Sequence, residues 1–220
     1  MKRVLITGAG TGFGHEAAIR LAEKGFDVIA TVEIWAQVQT LKRQAAARGV
    51  TLKVEKLDVT HEGDREKALA WDVEILVNNA GVLEGGSVLD IPGANMRHQF
   101  EVNVIGPLLL TQAIAKRMVK RGKGRIVWVS SREGLNTNPF TGIYSASKHA
   151  VEAVAETMSL ELQEFGIEVA TVNPGPFLTG FNDRGFETWK SWEDDSSQRL
   201  FTRSLPSPVL SSIPNRSMPR

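Results

Sequence analysis

The 220-residue sequence contains no cysteine, which excludes disulfides, thiolate metal sites and cysteine nucleophiles. Its formal net charge is only +1, so we expect no nucleic-acid or membrane partner. The four histidines lack the spacing of metal ligands, and we expect no metal site. No apolar run approaches the ~20 residues that span a bilayer, and the first is too short for a signal peptide. We therefore expect a cytoplasmic protein.

Short apolar segments alternate with longer amphipathic ones. Strands are predicted over 3–6, 27–32, 52–57, 74–77, 125–129 and 168–172, and helices over 13–24, 34–48, 62–70, 93–121 and 143–165. This alternation is typical of an α/β fold with a parallel sheet covered on both faces. Right-handed crossovers predict a doubly wound sheet of strand order 3-2-1-4-5-6. Gly106-Pro107 predicts a kink in the long helix.

The end of the chain has a different composition. Residues 203–220 hold four prolines and five serines without a helical or strand period, which predicts an irregular tail. Residues 1–202 are predicted to form a single domain.

A glycine-rich turn, TGAGTGFG from Thr7 to Gly14, follows the first predicted strand. A strand, such a turn and a helix N-terminus together form an anion site, because backbone amides point outward and missing Cβ atoms allow close approach. Gly8 would serve the turn, Gly12 the approach of a pyrophosphate, and Gly14 the helix–strand contact. A glycine loop without a ligand is the alternative, and the flanking elements favour a dinucleotide.

Tyr144 is the only tyrosine and precedes Lys148 by four residues, which places both on one helix face. An ammonium beside a phenol favours the phenolate, so we expect Lys148 to lower the Tyr144 pKa and prepare it for proton transfer. Taken alone, such a pair is more often a chance feature of a helix than a catalytic one.

The glycine spacing and this pair resemble the short-chain dehydrogenase/reductase family, and further motifs extend the resemblance from residue 2 to about 179. In chain order they are Asp58-Val59, Asn78-Asn79-Ala80-Gly81, Asn103, Ser130-Ser131, Asn173-Pro174-Gly175 and Thr179. Each of these residues could instead have a purely structural role. The asparagines after the fourth strand could satisfy a turn, Ser131 could cap a loop, Asn103 could be a solvated helix residue, and Asp58 could be an acid at a strand end.

The resemblance implies hydride transfer between a nicotinamide cofactor, NAD or NADP, and a small carbonyl or alcohol substrate. Tyr144 would exchange the proton, Ser131 would bind the substrate oxygen, and Lys148 would bind the nicotinamide ribose. Asn103 would support a water chain. The implied cofactor-binding residues are Gly8, Thr11, Gly12, Phe13, Gly14, Glu33, Asp58, Val59, Asn79, Ala80, Gly81, Tyr144, Lys148, Pro174, Gly175 and Thr179.

In the family that the chain resembles, the choice between NAD and NADP usually depends on residues after the second strand and before the second glycine of the motif, here Gly12. Thr31, Val32 and Thr11 are neither acidic nor basic. Glu33 could accept from ribose hydroxyls and would repel a 2′-phosphate, so we predict NAD. An exposed acid at a helix start is the alternative for Glu33.

Segments 83–87, 134–143 and the loop after Gly175 are expected to face the substrate. That loop carries Phe177, Leu178, Phe181, Phe186, Trp189 and Trp192. An aromatic lid suits an apolar or aromatic carbonyl compound, whereas the alternative is an amphipathic helix packed into the body.

The resemblance also implies a final helix and a seventh strand, for which residues 203–220 have no pattern. We therefore expect a missing seventh strand, an exposed sixth strand and a truncated C-terminus. A nucleotide-binding sensor or an inactive truncated form is the competing hypothesis. A homo-oligomer, dimer or tetramer, through helices 93–121 and 143–165 is implied as well.

Overall fold

The computed structural model describes residues 1–192, which form one parallel six-stranded sheet between two layers of helices. The strands are β1 Arg3–Ile6, β2 Asp27–Val32, β3 Lys53–Lys56, β4 Ile75–Asn78, β5 Gly124–Val129 and β6 Ile167–Val172. Their order, β3-β2-β1-β4-β5-β6, confirms the predicted doubly wound topology.

The helices follow the strands as the amphipathic pattern predicts. They are α1 Gly12–Glu23, α2 Trp35–Ala47, α3 Glu62–Ala68, α4 Gly93–Phe100, α5 Gly106–Arg121, α6 Gly142–Leu162 and α7 Phe181–Trp192. Short 3-10 turns occupy Arg132–Gly134 and Gln163–Phe165.

Alternate residues of each strand enter cores on opposite faces of the sheet, because strand side chains point up and down in turn. Leu5 packs in one core with Leu76 and Trp128. Its neighbours Val4 and Ile6 pack in the other. Both faces are thus covered, which explains why the strands read as continuously apolar.

A π-helical turn, Glu101–Ile105, joins α4 to α5 immediately before the predicted kink. Helical conformation continues through Gly106-Pro107, with Pro107 in the first turn of α5, where its missing amide is tolerated. The irregularity expected from the proline therefore takes the form of a π turn, and Asn103 lies within it.

Strand β6 forms an outer edge of the sheet, and residues 1–192 contain no seventh strand. Val172, at its end, is 48% exposed. The predicted domain end at residue 202 and the predicted tail 203–220 lie outside the described residues. No helix within residues 1–192 is long and apolar enough to cross a membrane.

Candidate active site

The carboxyl ends of all six strands open into one cleft of about 1040 Å³. Parallel strands bring their following loops to the same edge of the sheet, so motifs far apart in sequence meet there. All the predicted catalytic and cofactor-binding residues line this cleft except Gly14 and Asn103. The segments 83–87 and 134–143, predicted to face the substrate, line it only in part.

The glycine turn has the shape that a pyrophosphate requires. Gly8 and Gly12 adopt φ of +65° and +60°, which side chains rarely tolerate. A Cβ at Gly8 would lie 2.7 Å from the Ala80 Cα, and one at Gly14 would lie 2.3 Å from the Asn79 Nδ2. The backbone is therefore packed tightly behind the turn, while Thr11, Gly12 and Phe13 at the start of α1 line the cleft, so these residues fit a dinucleotide.

The turn after β4 holds the glycine turn in place. Asn79 Nδ2 donates to the carbonyls of Thr7 (2.9 Å) and Gly8 (3.0 Å). In return, Thr7 Oγ1 accepts from the backbone amides of Asn79 and Ala80, both at 3.0 Å. Asn79 therefore stabilises a turn, which was the alternative role considered for it, and the turn that it stabilises is the one predicted to bind phosphate.

Ser131, Tyr144 and Lys148 converge on the other side of the cleft. Ser131 follows β5, whereas Tyr144 and Lys148 occupy the first two turns of α6 and are only 6% and 4% exposed. The Ser131 hydroxyl is hydrogen-bonded to the Tyr144 phenol. Lys148 Nζ donates to the Val129 carbonyl (2.9 Å) and lies 5.7 Å from the centroid of the Tyr144 ring. The three side chains predicted to perform the chemistry therefore share one site.

The protonation of this group differs from the prediction. Burial raises the pKa of Tyr144 to about 12, against a lowering effect of the Ser131 hydrogen bond and with a further rise from the Glu133 charge. Burial lowers the pKa of Lys148 to about 8, against an opposing effect of Glu152. The expectation that Lys148 lowers the Tyr144 pKa is wrong for the chain by itself, because desolvation is the largest cause of the shift and Lys148 is not among its causes.

Asn103 is buried at 2% exposure and fixes the wall behind Lys148. Its Oδ1 accepts from the Val82 amide (2.8 Å), and its Nδ2 donates to the Val82 carbonyl (3.0 Å) and to Ser147 Oγ (3.1 Å). These bonds exclude the alternative of a solvated helix residue. They connect the loop after β4 to α6, on which Tyr144 lies.

Glu133 is a site residue that motif reasoning missed. Its Oε2 accepts from the hydroxyls of Thr141 and Ser145, each at 2.6 Å, and its amide donates to Ser131 Oγ at 3.1 Å. It therefore fixes the turn of Ser131 to the first turn of the Tyr144 helix. Its position two residues after Ser131 is the only sequence signal, and a single acid in a loop has no distinctive pattern.

The two acids predicted to bind the adenosine, Glu33 and Asp58, both line the cleft, and Asp58 has a local role as well. Its Oδ1 accepts from the amide (2.9 Å) and hydroxyl (2.7 Å) of Thr60, as a turn-forming aspartate does. Glu33 is exposed and lines the cleft. Residues 1–192 contain no cluster of side chains suited to a metal ion.

The aromatic residues after Gly175 divide between the two predicted roles. Trp189 is 5% exposed and stacks on Phe140 with ring centroids 5.4 Å apart, so it fixes α7 to the body. Phe177 and Phe186 line the cleft, as does Phe181, whose ring lies 5.8 Å from that of Tyr144. The phenylalanines thus form an apolar wall beside the predicted acid–base residue.

The sequence from residue 2 to residue 189 matches the short chain dehydrogenase family. The chain belongs to this family. The oxidoreductase class predicted from the motifs is thereby confirmed.

Members of known sequence and structure resemble the chain over most of its length. The uncharacterized oxidoreductase YusZ of Bacillus subtilis is 36% identical over 93% of this chain and 75% of its own. Human retinol dehydrogenase 8 is 35% identical over 83% of this chain, which spans only 61% of that protein. A short-chain dehydrogenase from Sphingobium yanoikuyae, solved in complex with NADPH, superposes with a TM-score of 0.78 at 28% identity, covering 84% of this chain and 76% of its own.

Proposed function

We propose that the protein transfers a hydride between a nicotinamide dinucleotide and an apolar carbonyl compound or secondary alcohol. The observation that carries this proposal is the placement of Ser131, Tyr144 and Lys148 across one cleft from the glycine turn. The competing hypothesis of a sensor without turnover has no support in the comparisons, and the three side chains predicted to react are all present and line one cleft.

The cofactor would supply the hydride chemistry, and the chain's own residues would orient the reactants and move the proton. Ser131 Oγ accepts from the Glu133 amide, and its own proton, which now interacts with the Tyr144 phenol, would turn to a substrate oxygen. The Tyr144 hydroxyl, with its high pKa, holds its proton at neutral pH and can donate it as a carbonyl is reduced. Lys148 lines the cleft, where a ribose hydroxyl of the nucleotide could accept a hydrogen bond from its ammonium.

A bound nucleotide is expected to change the Tyr144 pKa. Lys148 Nζ now has the Val129 carbonyl as its hydrogen-bond acceptor. A rotation of its flexible side chain towards the phenol would bring a positive charge close to Tyr144 and lower its pKa for alcohol oxidation.

For the nucleotide we propose NAD, because Glu33 is the exposed acid immediately after β2 on the adenosine side of the cleft. Its carboxylate would accept from ribose hydroxyls and repel a 2′-phosphate. The solved relative with NADPH supports the opposite choice. Dissociation constants for NADH and NADPH, measured with the wild type and with Glu33→Gln, decide the matter. We expect tighter NADH binding that weakens in the variant; tighter NADPH binding by the wild type would overturn the choice.

For the substrate we propose an apolar compound, because Phe181 and Phe186 form the wall beside Tyr144. The name of the human relative, retinol dehydrogenase 8, supports an apolar alcohol. The test is a panel of long-chain and aromatic ketones, aldehydes and alcohols, with sugar acids as the polar comparison, assayed with NADH and NADPH. Turnover confined to sugar acids would contradict the substrate class, and no turnover on any member would contradict the enzymatic function.

We also propose that two copies associate through α5 and α6. Ile105, at the end of the π turn, and Leu109, near the start of α5, are 45% and 42% exposed, and Leu160 on α6 is 65% exposed. Apolar side chains in such positions favour burial against a partner. Light scattering tests this proposal, and a monomer at micromolar concentration would contradict it.

A further inference from the structure

Helix α7 and the segment before it pack directly over the phosphate-binding turn. The ring of Phe177 meets that of Phe13 edge-on with centroids 5.4 Å apart. Thr179 lies 3.5 Å from the position that a Cβ would take at Gly12. Arg184, near the start of α7, donates from Nη2 to Thr11 Oγ1 at 3.0 Å. This hydrogen bond joins residues that are 173 positions apart in the chain.

The guanidinium of Arg184 therefore lies at the N-terminus of α1. Thr11 is the N-cap of this helix, makes no side-chain capping bond, and is followed by a first turn without an acidic residue. The free amides at this end carry the positive pole of the helix dipole. The Arg184 guanidinium and the N-terminus of α1 are therefore two neighbouring positive groups, and an anion bound between them would be attracted by both.

Within residues 1–192 no carboxylate forms a salt bridge with Arg184, although Asp183 is its neighbour in sequence. The hydroxyl of Thr11 accepts only one of the five N–H groups of the guanidinium. The remaining donors have the planar fork that suits a phosphate. Arg184 itself is exposed, so an arriving anion reaches it without displacing the core.

We propose that Arg184 binds the pyrophosphate of the nucleotide and thereby fastens α7 over it. This inference rests on the proposed dinucleotide function. The amides of Gly12 and Phe13 would hold the pyrophosphate from one side and Arg184 from the other. The pyrophosphate is chosen over the 2′-phosphate because Thr179 and Phe177, in the segment that leads into α7, also contact the glycine turn, at Gly12 and Phe13.

Fastening of α7 has a consequence for the substrate. The same helix carries Phe181 and Phe186, which form the apolar wall beside Tyr144. A pyrophosphate that holds Arg184 would also hold this wall in place. Nucleotide binding is therefore expected to precede and strengthen substrate binding, as a coupling between two adjacent sites.

The test compares Arg184→Gln and Arg184→Lys with Lys190→Gln, which removes an exposed charge from the same helix. Dissociation constants are measured by calorimetry for NADH, NADPH, ADP and adenosine 2′-monophosphate, and folding is checked by thermal unfolding. Since a hydrogen bond to a charged group contributes a factor of roughly 10 to 100, Arg184→Gln should weaken NADH, NADPH and ADP by about that much. Arg184→Lys should weaken them less, and the 2′-monophosphate should be unaffected.

Each other result overturns the proposal. If Arg184→Gln and Lys190→Gln bound NADH, NADPH and ADP with equal affinity, Arg184 would not bind the nucleotide. A loss confined to NADPH and the 2′-monophosphate would assign Arg184 to the 2′-phosphate. If the wild type bound none of the four nucleotides, the proposed function would fail as well, whereas the first two results leave it standing.

Discussion

The substitution Lys148→Met removes a buried ammonium while keeping an unbranched side chain of similar length. Lys148 is 4% exposed, and burial lowers its pKa from 10.5 to about 8. That difference corresponds to roughly 3 kcal/mol by which burying the charged form destabilises the fold at pH 7. Methionine carries no such cost, but it leaves the Val129 carbonyl without its donor, at a cost of about 1–3 kcal/mol.

The pH dependence separates these two effects. Because the folded-state pKa lies below the unfolded one, the unfolded chain binds more protons between about pH 8 and pH 10.5, so wild-type stability rises with pH there. The cost of the lost hydrogen bond does not change with pH. The stability of Lys148→Met relative to the wild type should therefore fall by about 2.5 kcal/mol between pH 7 and pH 10.

Urea unfolding followed by the fluorescence of the five tryptophans gives the free energies at both pH values. Lys190→Met is the matched control, because its ammonium is exposed and its removal empties no buried site. Titration of Tyr144 is common to the wild type and both variants and largely cancels. A stability difference for Lys148→Met that stays constant from pH 7 to pH 10 would refute the claim that Lys148 is buried as a costly cation.

Three further substitutions test the site. Gly14→Ala places a Cβ 2.3 Å from the side-chain Nδ2 of Asn79, so nucleotide binding should weaken at least tenfold and the melting temperature should fall. An unchanged nucleotide affinity in calorimetric titrations would contradict this packing. Ser131→Ala should lower kcat by about 100-fold with an unchanged nucleotide dissociation constant; a matching loss of nucleotide affinity would place Ser131 in the cofactor site instead. Glu133→Gln removes a charge that raises the Tyr144 pKa, so the pH at half-maximal alcohol oxidation should fall, and an unshifted profile would leave Glu133 with no electrostatic role.

The sheet and most of the site were predictable because they depend on local patterns. Continuous apolar strands and the glycine spacing define β1, α1 and the strand order, and loops at the carboxyl ends of parallel strands must meet. Tyr144 and Lys148 were placed correctly by helical spacing alone. The observed strand ends differ from the predicted ones by a single residue at most, because turn residues bound the apolar runs.

The remainder depends on distances that a sequence does not contain. The direction of the Tyr144 pKa was wrong because spacing places Lys148 on the same face but says nothing about desolvation, which dominates at 6% exposure. Glu133 contacts Ser145 across a loop, and Arg184 contacts Thr11 across nearly the whole length of the described chain. Neither residue belongs to a motif, so only the fold brings them into the site.

Tyr144→Phe tests the central claim most directly. The variant loses only the phenolic oxygen, so its folding and its affinity for NADH and NADPH should stay within about twofold of the wild type, while single-turnover hydride transfer to an accepted ketone should slow by at least about 100-fold. Rapid mixing of the enzyme–nucleotide complex with substrate, followed by nucleotide absorbance, measures this rate. A rate near that of the wild type would contradict the assignment of Tyr144 as the acid–base residue.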